Sequence, residues 1–276
     1  MSMVTAAVEP RSVSVDERFH FDLAGYLHLH GALTADEVAE ALAWSVAAQQ
    51  VDLVAFNADR GEQMKNHLGR PVSRILDVEP RFLRFLDHPV IAPYLATFCG
   101  PDYKHIDNDL FHTSPGYAGG GWHRGSPAHD TGYCFAGRFD CPMVKVFYCL
   151  TDVGPGQGPF EVVPGSHKSQ LQSMDDQGRL DLPGQHVFDD VKAGDAIIFN
   201  EALLHNGRPN TTERTRKTLI INFGNAGAKC WVGYHPLAAT LARCTPRQRQ
   251  ILSNQPGDWE QAVVPGQVRM GTAGMS

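Results

Sequence analysis

The chain has 276 residues, 42% hydrophobic and 20% charged, with a formal net charge of −6; that length suits one domain whose folding buries about three quarters of its surface without staples. The acidic balance argues against a nucleic-acid or anionic-membrane surface, and no apolar run reaches the roughly 18 residues of a membrane span. Six cysteines without a C-x-x-C pair, and a start (Met1 to Arg11) with neither a basic nor an apolar signal region, predict reduced thiols, no structural zinc and a cytoplasmic protein.

Residues 1–17 are polar and read as a loose segment. Tyr26-Leu27-His28-Leu29-His30 alternates like a half-buried strand. His28 and His30 have a spacing that could bind metal, with solvent exposure as the plainer reading. Thr34-x-x-Glu37 is a capping box, and Val38, Leu42 and Val46 follow at i, i+4, i+8 of a helix. A second helical stretch is predicted near Arg81–Phe98, and a strand from Pro101 to His112 runs into a Gly-rich turn. Met143–Leu150, Ala196–Phe199 and Thr218–Phe223 are short apolar runs bounded by turn residues, hence strands. Thr245 with Pro246 opens a late helix on the Ncap–N1 pattern. Helices followed by evenly spaced strands predict a mainly β fold with flanking helices, a jelly roll. The expected organisation is a loose segment 1–17, a jelly-roll domain 18–240 with N-terminal helices, and a C-terminal helix and tail, 241–276, packed on the same domain.

Three residues carry the chemistry. His123 lies in Gly119-Gly120-Gly121-Trp122-His123-Arg124-Gly125, His205 lies 82 positions later, and Arg216 follows His205 by eleven. Glycines 119–121 lack the G-x-G-x-x-G spacing, and there is no G-x-S-x-G, so dinucleotide binding and nucleophilic hydrolysis have no support. Together with Leu150-Thr151-Asp152-Val153, Gly158, Val163-Pro164-Gly165-Ser166-His167-Lys168, Gly194-Asp195 and Arg214-x-Arg216, these motifs resemble the phytanoyl-CoA dioxygenase-like group of Fe(II)/2-oxoglutarate oxygenases over roughly residues 20–225.

The resemblance implies a double-stranded β-helix with Fe(II) in its mouth, held by His123 and His205. It implies 2-oxoglutarate on Arg216, with Arg214 as second choice, and O2 as co-substrate. A planar guanidinium suits a carboxylate better than an ammonium does. Three positions depart from the family. Gly125 stands where the carboxylate ligand is expected. His112 stands where a lysine contacts 2-oxoglutarate, and Gly207 stands where a serine follows the distal histidine. Gly125 leaves three readings: a hydroxylase or other oxidase with a relocated ligand, a halogenase with chloride in the open position, or a binding protein that has lost turnover. The relocated ligand could be Glu201, Asp130 or water, with Asp107 of His105-Ile106-Asp107 ranked behind these side chains. Residues 51–75 and 126–140 are the expected lid segments. Arg124, Arg138 and Lys145 hint at an anionic group on a small-molecule substrate, while His167 is expected to fix a turn and Lys168 to lie on the surface. No oligomeric state is read from the chain.

Overall fold

The computed structural model describes residues 12–57, 72–124, 134–135, 138–139, 143–169, 184–228 and 235–253. The elements run α1 (Val15–Ala24), β1 (Tyr26–Leu29), α2 (Ala35–Gln49), α3 (Leu53–Asn57), β2 (Val72–Ser73), α4 (Ile75–Val78), a 3-10 turn (Pro80–Phe85), α5 (Ala92–Phe98) and β3 (Lys104–Thr113). They continue with β4 (Cys134–Phe135), β5 (Arg138–Phe139), β6 (Met143–Cys149), β7 (Phe160–Val162), a 3-10 turn (Ser166–Lys168), β8 (His186–Phe188), β9 (Ala196–Asn200), β10 (His205–Gly207), β11 (Arg216–Gly224), α6 (Ala238–Arg243) and α7 (Pro246–Leu252). A large antiparallel sheet has the order β1-β9-β6-β11-β3-β2, and a smaller sheet has the order β10-β7-β8. The expected jelly roll is the observed architecture.

Side-chain alternation divides the large sheet into two faces. Leu110, Val144, Val146, Tyr148, Ile198, Leu219, Ile221 and Phe223 point to the helices and join Phe82, Phe85, Leu86 and Leu95 in the larger core. Phe147, Cys149, Ile197 and Phe199 point the other way and meet Phe160, Val162 and Phe188 of the small sheet. The space between the sheets is therefore largely apolar, and Arg216 and Thr218 enter it from β11.

Several expectations are corrected. The loose N-terminal segment gives way to helix earlier than residue 17: Ser14 caps α1 through a full capping box with Glu17. The predicted stretch 81–98 is two pieces, because Pro89 lacks an N–H and disfavours helix at His88. The chain restarts as α5 with Pro93 in its first turn. On α2 the capping box of Thr34 and Glu37 is present, but the buried stripe is Val38, Ala41, Ser45 and Ala48. Val46 is exposed, since steps of four drift about 40° each around a helix of 3.6 residues per turn. At the other end, α7 has its Thr245 cap and packs Ile251 and Leu252 into the larger core. Of the expected lids, 51–75 and 126–140, residues 58–71, 126–133, 136–137 and 140 lie outside the described residues. Among the described residues no helix is long and apolar enough to cross a membrane, and Cys99, Cys149 and Cys244 are free buried thiols.

The two faces carry a prediction. Ile221→Ala, at a fully buried site, is expected to cost about 2–5 kcal/mol of unfolding free energy. Val46→Ala is expected to stay within about 0.5 kcal/mol. Urea unfolding of both variants checks the difference.

Candidate metal and 2-oxoglutarate site

His205 opens β10, where it pairs with Val162 of β7. On its other side it meets His123 in an antiparallel bridge. The two residues exchange both backbone hydrogen bonds, at 3.0 and 2.8 Å. That pairing places the imidazoles side by side, with ring centroids 4.2 Å apart. Each ring is oriented by its own strand: His123 Nδ1 lies 2.8 Å from the Gly121 carbonyl and His205 Nδ1 lies 2.7 Å from the Leu203 carbonyl. A carbonyl accepts only, so both Nδ1 atoms carry the proton and both Nε2 atoms present a lone pair. Among the described residues neither Nε2 has a hydrogen-bond partner. His205 is buried and His123 exposed. Burial, then the charges of His123 and Lys145, hold the His205 pKa well below the usual histidine value. A neutral ring with an oriented lone pair is what a divalent transition ion requires.

The Pro164-Gly165-Ser166-His167-Lys168 run braces this strand. Ser166 Oγ accepts from the Leu204 N–H at 2.7 Å, and the Val163 N–H donates to the Leu204 carbonyl. His167 Nε2 bonds the Asp22 carbonyl and Lys168 pairs with the Asp22 carboxylate, tying the turn to α1. On the far side, Glu161 accepts from Asn206 at 2.8 Å and from Arg208 at 2.6 Å.

Arg216 starts β11 opposite Thr113 of β3 and is buried. One guanidinium nitrogen donates to the Gly158 carbonyl, while its Nε is buried without a partner. Gly158 has φ +66°, and a Cβ there would strike Thr113 at 2.5 Å, so the carbonyl that receives Arg216 depends on glycine. Among the described residues no carboxylate pairs with Arg216. A buried cation without a counter-charge is costly, and an incoming carboxylate removes that cost. A small cavity beside it is floored by Cys149, Phe147, Phe160, Ile197 and Thr218. Burial pushes the Cys149 thiol up to about 12, so the floor is uncharged. Phe160 lines this cavity and also packs on His205; two imidazoles with free lone pairs and a guanidinium without a carboxylate partner are residue types that fit an iron ion and a dicarboxylate.

The other expected residues divide. Arg214 is exposed in the turn before β11 and is not brought to the centre. His112 is a correction: it sits one residue out of parity, on the helix-facing side of β3, 3.3 Å from Gln49 of α2. Burial and the charge of Lys217 lower its pKa to about 4. Glu201 is buried and bonds Lys145 at 2.8 Å. Among the described residues, no set of three ligand-type side chains that includes both His123 and His205 has its ligand atoms within 4.8 Å of one another. Glu201 and Asp107 therefore do not complete the pair. Gly125 and Asp130 lie outside the described residues, as does the side chain of Arg138. Arg124 reaches the Ser169 carbonyl at 3.4 Å, and the Lys145 charge is met by Glu201, which weakens the hint of an anionic substrate.

Sequence reasoning named Asp107 but missed its neighbour on the same face, Asp109. Asp107 and Asp109 lie opposite Asn222 and Ile220 of β11, and Asn222 lies opposite Lys145 of β6. Their alternation on β3 was a usable signal. Burial raises both pKa values, that of Asp109 to about 8, helped by the charge of Asp107.

The family described as phytanoyl-CoA dioxygenase (PhyH) matches residues 21–218. The chain belongs to that family. It is 26% identical over 228 residues to dioxygenase lolE1 of Epichloe uncinata, covering 79% of this chain and 85% of that protein. It is 25% identical over 178 residues to the peroxisomal phytanoyl-CoA dioxygenase of Mus musculus, covering 58% of this chain. The chain spans about half the length of the mammalian relatives it matches. Among solved structures it resembles HygX from Streptomyces hygroscopicus with nickel and 2-oxoglutarate bound, with a TM-score of 0.63, 18% identity, and coverage of 83% of this chain and 94% of that one. It also resembles apo EctD from S. alaskensis, with a TM-score of 0.61, 23% identity, and coverage of 80% of each chain.

Asp109 gives a pH prediction. A carboxyl whose folded pKa is raised contributes stability that is present below the ordinary carboxylate range and is lost as pH rises through about 8. Asp109→Asn lacks that loss. Its melting temperature should therefore gain on the parent as pH rises from about 4 to 9, and parallel curves would contradict the assignment.

Proposed function

We propose that the protein is an Fe(II)/2-oxoglutarate-dependent oxidoreductase acting on a C–H bond of a small molecule. The observation that carries this reading is Arg216: a buried guanidinium with no carboxylate partner among the described residues, in a cavity shared with Phe160, the ring packed on His205. His123 and His205 would hold iron through Nε2, and Arg216 would take the distal carboxylate of 2-oxoglutarate, with Gly158 fixing its approach. When bound, iron and 2-oxoglutarate supply oxygen activation coupled to decarboxylation to succinate. Phe160 and Phe199 pack around His205 at 5.7 and 5.0 Å and keep water from the ring. Membership of the dioxygenase family supports the reading.

An anaerobic titration with Fe(II) and 2-oxoglutarate, followed by the visible charge-transfer band of the chelate, tests it. Arg216→Lys should weaken 2-oxoglutarate about 10- to 100-fold, the loss of a charge-assisted, two-pronged contact. An unchanged affinity would remove Arg216 from the role. The competing class, a binder without turnover, gives no succinate from 2-oxoglutarate and oxygen.

A halogenase is the second reading. It is favoured by Gly125 at the expected carboxylate position and by the failure of Glu201 to join the histidines. Removing the carboxylate removes one charge and opens one coordination position, and chloride restores both. On this reading chloride shifts or tightens the chelate band, and Gly125→Asp abolishes chlorination. Chlorination retained in Gly125→Asp would sink the halogenase reading.

A further inference from the structure

We propose a second metal site, built from His28, His30 and Asp195, that takes a late first-row divalent ion such as Zn(II). These are the three ligand-type side chains among the described residues whose ligand atoms lie within 4.8 Å of one another. His28 Nε2 lies 2.9 Å and His30 Nδ1 3.3 Å from the same oxygen, Asp195 Oδ2. An ion bonded to imidazole nitrogen and carboxylate oxygen at about 2.0–2.2 Å sets its ligands about 2.9 Å apart at right angles and about 3.4 Å apart in a tetrahedron. The observed separations fall in that interval, so an ion enters by replacing the shared protons with little rearrangement.

The carboxylate is already oriented. The Gly31 N–H donates to Asp195 Oδ1 at 2.9 Å and the Lys192 N–H to Oδ2 at 3.0 Å. Backbone bonds join the carbonyl of Asp195 and the N–H of Gly194 to Cys149 of β6. Such supporting contacts are what tune a ligand set. The Asp195 side chain is 3% exposed and that of His30 is 75% exposed, so one ligand is rigid and another borders solvent. Water from that side completes the coordination. Imidazole with carboxylate suits zinc, nickel or copper better than calcium or magnesium.

The site is separate from the His123–His205 pair. His28 touches the edge of Phe188, Phe188 stacks on Phe160, and Phe160 is the ring against His205. Two phenyl rings thus stand between the clusters. An ion here joins the end of the edge strand β1 to the turn that begins β9. It therefore stabilises the fold and takes no part in oxidation.

The test uses the untagged full chain. His123→Ala removes the first site, and equilibrium dialysis against Zn(II) counts what remains. The expected result is one retained equivalent, with a higher melting temperature when zinc is present. Adding His30→Ala, at an exposed position that does not endanger folding, should weaken that equivalent roughly tenfold or more and abolish the thermal gain. Wild type should bind two equivalents and His30→Ala alone one. Zinc binding in His123→Ala that is insensitive to His30→Ala, or no binding in His123→Ala at all, overturns the proposal.

Discussion

The antiparallel pairing of β11 with β3 on one side and β6 on the other is the constraint on which the rest depends. It fixes a three-strand register in which Thr113 and Arg216, Asp109 and Ile220, then Asp107, Asn222 and Lys145 lie abreast. One face of that ribbon is committed to the helices by Leu110, Leu219 and Ile221. The opposite face is then obliged to carry whatever alternates with them. A shift of one residue would exchange the faces and send Arg216 to the helices, so the apolar residues that stabilise the domain also aim its charged ones.

Much of this was legible in the sequence. The five strands foreseen all formed: three are apolar runs bounded by turn residues, and the segments at Tyr26 and before His112 alternate apolar with polar residues. The His123, His205 and Arg216 set stood out by spacing. What was not legible was parity. His112 was matched to a family position by counting, and only the register with Lys217 and the contact with Gln49 show that it faces α2. Short strands were also hidden. β7, β8 and β10 have three residues each, too few for a period to emerge, and they hold by pairing rather than by propensity. α1 was missed although Ser14-x-x-Glu17 is the same capping box that was read correctly at Thr34.

The brace around β10 explains a motif that spacing alone left without a role. Pro164 to Lys168 contributes no ligand. Its serine holds the residue before His205, and its histidine and lysine fasten to α1. Three residues of strand would otherwise be a poor platform for an oriented imidazole. The order that a longer strand would supply is provided instead by side chains from Ser166 and Glu161.

Cys149 adds a chemical property to the floor of the cavity. Sulfur is oxidised chiefly as thiolate, and a thiol held un-ionised in apolar surroundings is a poor nucleophile toward peroxide. The same burial that lowers the Arg216 pKa keeps Cys149 protonated, against the pull of the Arg216 charge. A peroxide reaching this floor would thus meet an un-ionised sulfur and react with it slowly.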